Sequence, residues 1–325
     1  MNRLHSSLSL KHLYENFTDK NHIKPFMASV FIFGLAIGIY QNVLHNYFSE
    51  VLQFSPTARG WAEFFRELPG LSLIAIFALL YRFTESKLIR IAFGISCLGM
   101  IGLLFAMEQV VSGIMFIVVF STGEHILMPI RDSFAMHYAQ DGRQAKAMGQ
   151  TKSVHGLGLI LGFVCVSLIF YLFRRFSLGG HWDFRLSYAI AAVCLAIGFI
   201  LTLNFADLNQ RIKRERFYFR KKYWKYYVLE IFFGARKQVF LTFGPYVLIL
   251  IYGLHTEYLS LLFILNNLLG IALAPKLGQL IDYFGYKIML IVDAILLVLL
   301  CLSYGFVPIW LPNNWGAWLV GTLFV

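Results

Sequence analysis

Gly278-Gln-Leu280-Ile-Asp282-Tyr-Phe-Gly285-Tyr-Lys287-Ile-Met-Leu290 joins two long apolar runs, 257–281 and 286–307, and places an acid, a glycine and a base at fixed offsets between them. A glycine that adopts a positive φ lets the chain reverse within a few residues, an Asp at a helix end complements a helix N-terminal dipole, and a Lys reaches the headgroup layer of a bilayer. The stretch therefore reads as a tight turn between two membrane-spanning helices.

The flanking runs belong to a series. A bilayer core needs about 20 mostly apolar residues per helix, and the sequence offers 26–48, 57–81, 88–108, 111–138, 149–173, 186–206, 226–253, 257–281 and 286–307. Nine complete spans are expected, with a partial tenth opening at Trp315 and reaching Val325. Composition agrees: 58% of the 325 residues are hydrophobic and 14% charged, whereas a soluble domain carries roughly 25% charged residues. Soluble and disordered classes are excluded, and an all-α polytopic membrane protein is expected. Residues 1–25 lack an apolar core segment, so the first helix is expected to serve as its own signal. Cys97, Cys165, Cys194 and Cys301 all lie in apolar runs without CxxC spacing or nearby His, so neither disulfide nor metal nor cofactor is expected.

The formal charge of +11 is distributed in short bursts between apolar runs, which marks orientation rather than nucleic-acid binding. With a cytoplasmic N-terminus, twenty of the 28 Lys and Arg fall on the cytoplasmic side and four, Arg59, Arg174, Arg175 and Arg185, on the outer side. The outer Phe173–Arg185 loop is the local departure from that bias. Eight of the bases lie in 211–225 among aromatic residues, as expected of a segment resting on an anionic inner leaflet. This basic connector, 207–225, divides a six-helix first half, 26–206, from a second half, 226–325, an organisation typical of secondary transporters.

The loop quoted above resembles the G-x-L-x-D-x-x-G-x-K loop of the major facilitator superfamily. The resemblance implies a major-facilitator-like helical bundle that moves a small organic solute by alternating access, with Gly278, Asp282, Gly285 and Lys287 latching one half against the other. It implies a divergent member. The equivalent loop after the second span has Arg82 in place of the Asp and Glu85 in place of the Gly, Arg131 is followed by Ala135 rather than Gly at the fourth position, and the fifth span has Gly156, Gly158 and Gly162 but no proline.

Ionised side chains at membrane depth cost about 2.5–3.5 kcal/mol on the insertion scale, so each needs a partner or a watery cavity. Glu63, Arg66, Glu67 and Gly70 share one face of the second span; they read either as a self-neutralising triplet or as a gate or proton-relay element. The fourth span carries Glu124 and His125 near its middle and Arg131 and Asp132 toward the cytoplasm, with Glu124 and Arg131 two turns apart on one stripe. Glu124 is the expected protonation site, against a structural ion pair as the alternative. Arg236, Lys237 and Gln238 lie about 15 Å into the seventh span, at the midplane. The family places spans 1, 4, 7 and 10 along the substrate path, so the resemblance gathers Gln41, Asn42, His45, Glu124, Arg236 and Gln238 around one cavity. The excess of base there points to a solute with an anionic group.

The expected protein is thus a secondary active transporter of a small, anionic solute, proton-coupled, monomeric, and resident in an inner or plasma membrane. Two other readings stay open: an integral membrane enzyme acting on lipids, for which His137 and Asp141 are the best acid/base pair, and a non-transporting fragment.

Overall fold

The computed structural model describes residues 16–18, 20–177, 179–205, 216, 220–311 and 314–324. These form α1 (Lys20–Asn46), closed by one π-helical turn at Tyr47–Val51, then α2 (Pro56–Leu71), α3 (Leu73–Leu80), α4 (Glu85–Ala106), α5 (Val110–His137), α6 (Gln144–Arg175), α7 (Trp182–Thr202), α8 (Trp224–Tyr252), α9 (Thr256–Phe284), α10 (Tyr286–Trp310) and α11 (Asn314–Phe324). No strand occurs among the described residues; an isolated bridge pairs Phe17 with Ala139.

Local chemistry sets several boundaries. Ser55 accepts from the Ala58 amide at 3.2 Å and Pro56 opens the first turn of α2, where its missing N–H costs nothing. Thr84 caps α4 by accepting from Lys87 N. Gly285, at φ 80°, separates α9 from α10 in a conformation that suits glycine. Pro308 lies inside α10 rather than in a loop, because Leu311 N still reaches Val307 O at 2.8 Å and carries the helix to Trp310.

Among the described residues six helices are long and apolar enough to cross a membrane: Ile23–Val51, Glu85–Ala106, Val110–His137, Lys146–Arg175, Trp182–Thr202 and Lys287–Trp310. The expected count of nine complete spans is not confirmed: the second span is charged and divides at Ser72 into α2 and α3, and the described apolar parts of α8 and α9 are the shorter Leu241–Tyr252 and Thr256–Ile271. The partial tenth span corresponds to Trp315–Phe324.

The chain forms two compact units. The first holds Met1–Tyr40, Trp61–Gly162 and His181–Phe219; the second holds Gln41–Gly60, Phe163–Gly180 and Arg220–Val325.

In the first unit α1 and α6 meet backbone to backbone. A Cβ on Gly34 or Gly38 would lie 2.2–2.3 Å from the carbonyl oxygens of His155 and Leu159, and one on Gly158 or Gly162 would lie 2.1–2.5 Å from those of Phe31 and Leu35. Two G-x-x-x-G pairs, one on each helix, allow this approach. Phe26, Phe134 and Phe205 pack in one aromatic group, and Phe17 is buried where residues 16–18 hydrogen-bond Tyr138–Gln140.

In the second unit Leu248, Ile249, Leu259, Tyr304, Val307, Val320 and Phe324 form a core shared by α8, α9, α10 and α11. The far ends of α1 and α6 join the same unit. Asn42 donates to Ser260 Oγ at 2.6 Å, Ser167 donates to Glu257 O, Tyr246 donates to Phe54 O, and Arg59 lies over the Phe48 ring. Two of the three bases of the Phe173–Arg185 loop find acids: Arg174 pairs with Glu257 in the second unit and Arg185 with Glu108 in the first.

Candidate functional site

α2 is amphipathic with a charged inner face. Residues three and four apart stand one above the other on a helix, so Arg66 lies beside both Glu63 and Glu67. Its Nε donates to Glu63 Oε1 at 2.8 Å, and its Nη2 bridges Glu63 and Glu67. α5 meets this face. Ser121 Oγ donates to the Arg66 carbonyl at 2.5 Å, and His125 Nε2 lies 3.3 Å from Glu67 Oε2. Gly70 makes the approach possible, since a Cβ there would sit 2.7 Å from the His125 ring. Glu124, 4% exposed, interacts electrostatically with Arg66, His125, Glu67 and Glu63, and its Oε2 has no hydrogen-bond donor among the described residues. Tyr40 of α1 lies within the field of Arg66.

The hydrogen bonds fix the His125 tautomer. Nδ1 faces the Ser121 carbonyl at 2.9 Å and Ser121 Oγ at 3.0 Å. The carbonyl can only accept, and the hydroxyl has committed its proton to Arg66 O, so Nδ1 carries a hydrogen. Nε2 then faces a carboxylate oxygen. The Glu67–His125 contact is thus one at which a proton on either partner would be favourable.

Arg131 bonds its own neighbour, Nε to Asp132 Oδ1 at 3.1 Å, with Lys152 Nζ 3.9 Å from Asp132 Oδ2. The base in Glu124's electrostatic surroundings is therefore Arg66 of α2, while Arg131, two turns along the expected stripe, pairs elsewhere. The gathering of Arg66 and Glu124 lay beyond sequence reading because it joins two helices; the signal that could have pointed to it is Gly70, a small residue on the charged stripe.

Asn42 and His45 belong to the second unit, where Asn42 bonds Ser260 and His45 stacks on Phe263 at 6.0 Å between ring centroids. Gln41 is half-buried beside them. The side chains of Arg236, Lys237, Gln238 and Asp282, and the surroundings of Gly278, lie outside the described residues; Lys287 is exposed at the start of α10. His137 Nδ1 is engaged by Glu85 Oε2 at 2.7 Å, and Asp141 stands exposed in the α5–α6 loop. No group of three or more His, Cys, Asp or Glu that could hold a metal ion occurs among the described residues.

A family model, Major Facilitator Superfamily, matches residues 26–325. No curated protein matches the chain in sequence. Among solved structures, the nucleoside transporter NupG is similar, with a TM-score of 0.67 at 12% identity over 94% of this chain and 78% of its own; a mutant of NupG gives 0.69 at 13% over 92% and 77%. A bacterial homologue of the human lysosomal transporter Spinster, in an inward-facing and unoccupied conformation, gives 0.60 at 13% over 94% and 72%. These likenesses show the fold, and the family model spans nearly the whole chain. With apolar helices long enough to cross a bilayer and a charged cluster buried where α2 meets α5, the chain is a multi-pass membrane protein that belongs to the major facilitator superfamily of transporters.

Proposed function

We propose that this protein is a secondary active transporter that carries a small organic solute across the cell membrane by alternating access, with its N-terminus cytoplasmic, driven by protons held at the α2–α5 cluster. The observation that supports the coupling is the Glu67–His125 contact, a carboxylate oxygen 3.3 Å from an imidazole nitrogen inside a buried charged cluster, where the two groups can share a proton. Charge counting extends it. Glu63, Glu67 and Glu124 face Arg66 and His125, so even with His125 charged these five residues keep one negative charge in excess. Burying an uncompensated charge is costly, and a proton on Glu124 removes it. Glu124 thus serves as the loading site, and Glu67 and His125 share the neighbouring proton.

The solute is expected to carry an anionic group, because the sequence puts Arg236 and Lys237 near the middle of α8 and an Arg holds a carboxylate through two parallel bonds. Lys cannot reproduce that fork, so Arg236→Lys is expected to weaken binding nearly as much as Arg236→Ala. An organic anion panel, with nucleosides, cations and sugars as comparators, is to be offered to proteoliposomes holding the full chain under an imposed pH gradient. Proton-driven accumulation of one class identifies the solute. Glu124→Gln is expected to abolish that accumulation while solute exchange continues, because exchange needs no change of charge at the carboxyl. Uphill transport at the native rate in Glu124→Gln would remove Glu124 from the coupling.

A further inference from the structure

The loop between α3 and α4 departs twice from the family pattern, with Arg82 in place of the Asp and Glu85 in place of the Gly. The fold sends these two side chains in opposite directions. Glu85 is buried in the first turn of α4, where Ser133 Oγ donates to its Oε1 and His137 Nδ1 lies 2.7 Å from its Oε2. Arg82 is exposed and turns back on its neighbour. Its Nε donates to Tyr81 Oη at 3.0 Å, and its guanidinium carbon lies 5.5 Å from the centre of the Tyr81 ring. A second guanidinium, that of Arg216 from the basic connector, comes to 5.9 Å from the centre of the same ring.

Two positive charges are thus gathered on one aromatic ring, and neither Arg82 nor Arg216 pairs with an acid among the described residues. Like charges held together repel, and an anion from outside relieves them. Depth decides which anion. α3 presents Ile74 and Leu79 to its surroundings, and Tyr81, Arg82 and the exposed Phe83 follow its last apolar turn, where hydrocarbon gives way to headgroups. The second unit carries the same order by itself. Arg220, Lys221 and Lys222 are exposed, Lys222 Nζ stands 4.8 Å from the centre of the Tyr223 ring, Tyr223 and Trp224 are exposed beside them, and Leu229 and Phe232 begin the exposed apolar surface of α8. Base, ring and hydrocarbon follow one another as they do through the leaflet of an anionic membrane.

We infer that Tyr81, Arg82 and Arg216 bind the phosphate of an anionic phospholipid in the leaflet on the N-terminal side. A guanidinium offers a planar fork that matches two phosphate oxygens, which an ammonium does not. Both arginines are long and exposed, so a phosphate set beside the ring lies within reach of both, and the Tyr81 hydroxyl has a proton of its own to donate. The chemistry recognised is that of a phosphate ester. Its place at the end of an apolar, exposed helix assigns the ester to a lipid, whose acyl chains lie along α3.

The test uses the purified full chain in a nonionic detergent, titrated with dioleoyl phosphatidylglycerol or dioleoyl phosphatidylcholine and read by native mass spectrometry. The native chain is expected to retain phosphatidylglycerol in preference. Arg82→Gln with Arg216→Gln is expected to weaken the first bound phosphatidylglycerol about tenfold or more, because two headgroup bases are lost. Lys24→Gln with Lys146→Gln removes two exposed bases of the same unit and is expected to leave that lipid bound as in the native chain. Excess glycerol 3-phosphate is expected to displace nothing. Equal retention of the two lipids, native affinity in the Arg82/Arg216 variant, or an equal loss in the Lys24/Lys146 variant would overturn the site. Displacement by glycerol 3-phosphate would overturn the lipid and make the ligand a soluble phosphate ester. Binding is read without transport, so the outcome stands apart from the function proposed above.

Discussion

His125 is held from three sides: Ser121 at Nδ1, Glu67 at Nε2, and Gly70 beneath the ring. The contact with Glu67 depends on Gly70 having no side chain. Gly70→Val is therefore expected to push the imidazole off its carboxylate. Separating the two groups removes the place where they can share a proton. The measurement is the pH dependence of solute accumulation in proteoliposomes: the half-maximal proton concentration rises in Gly70→Val while solute exchange is retained. His125→Gln keeps an amide donor for the Ser121 carbonyl but cannot carry the shared proton, and is expected to reproduce the shift. An unchanged pH profile in both variants would leave the Glu67–His125 contact a purely structural bond. The residue types of this site were legible in the sequence, since acids and a base at helical spacing in an apolar run need a reason. Their partners were not: the spacing within α5 led to Arg131, and the base that acts on Glu124 came from α2.

At the scale of elements, the α1–α6 crossing is decided by four glycines rather than by large side chains. Overpacking a side-chain core costs about 1–3 kcal/mol, and a backbone carbonyl cannot turn away as a side chain can. Gly38→Leu and Gly158→Leu are each expected to cost at least that much and to abolish the monodisperse peak in detergent size-exclusion chromatography. Gly156→Leu, at a position with nothing within 4 Å, is expected to leave the peak intact. Equal behaviour of all three variants would mean that the close approach does not stabilise the bundle. Caps act on a smaller scale. Thr84→Ala removes the acceptor for the Lys87 amide and is expected to lower stability by about 0.5–2 kcal/mol, read as a modest fall in the thermal midpoint of detergent-solubilised protein.

For the whole molecule, the distribution of Lys and Arg sets the expected orientation, because positively charged loops remain on the cytoplasmic side. His255 and Asp141 are both exposed, in the α8–α9 and α5–α6 loops. In intact cells His255→Cys is expected to react with an impermeant thiol reagent, and Asp141→Cys only after permeabilisation. The reverse pattern would invert the topology. Thr256, next to His255, is buried and unsuited as a reporter.

The sequence by itself determined that this is a polytopic helical membrane protein, where most helices run, and which turn carries the family's loop. These follow from composition, hydropathy and local turn chemistry, all of which act between residues near in the chain. It also marked the buried charges, because any charge in an apolar run is exceptional. The tertiary structure decided what those charges meet: Arg66 with Glu63, Glu67 and the field of Glu124, Arg174 with Glu257, and Asn42 with Ser260, 218 positions away. It also decided which helix contacts are dry and which are polar. One helix's periodicity fixes the direction of its own side chains, whereas a partner across a bundle depends on how the helices cross, and that is set by packing along their whole lengths.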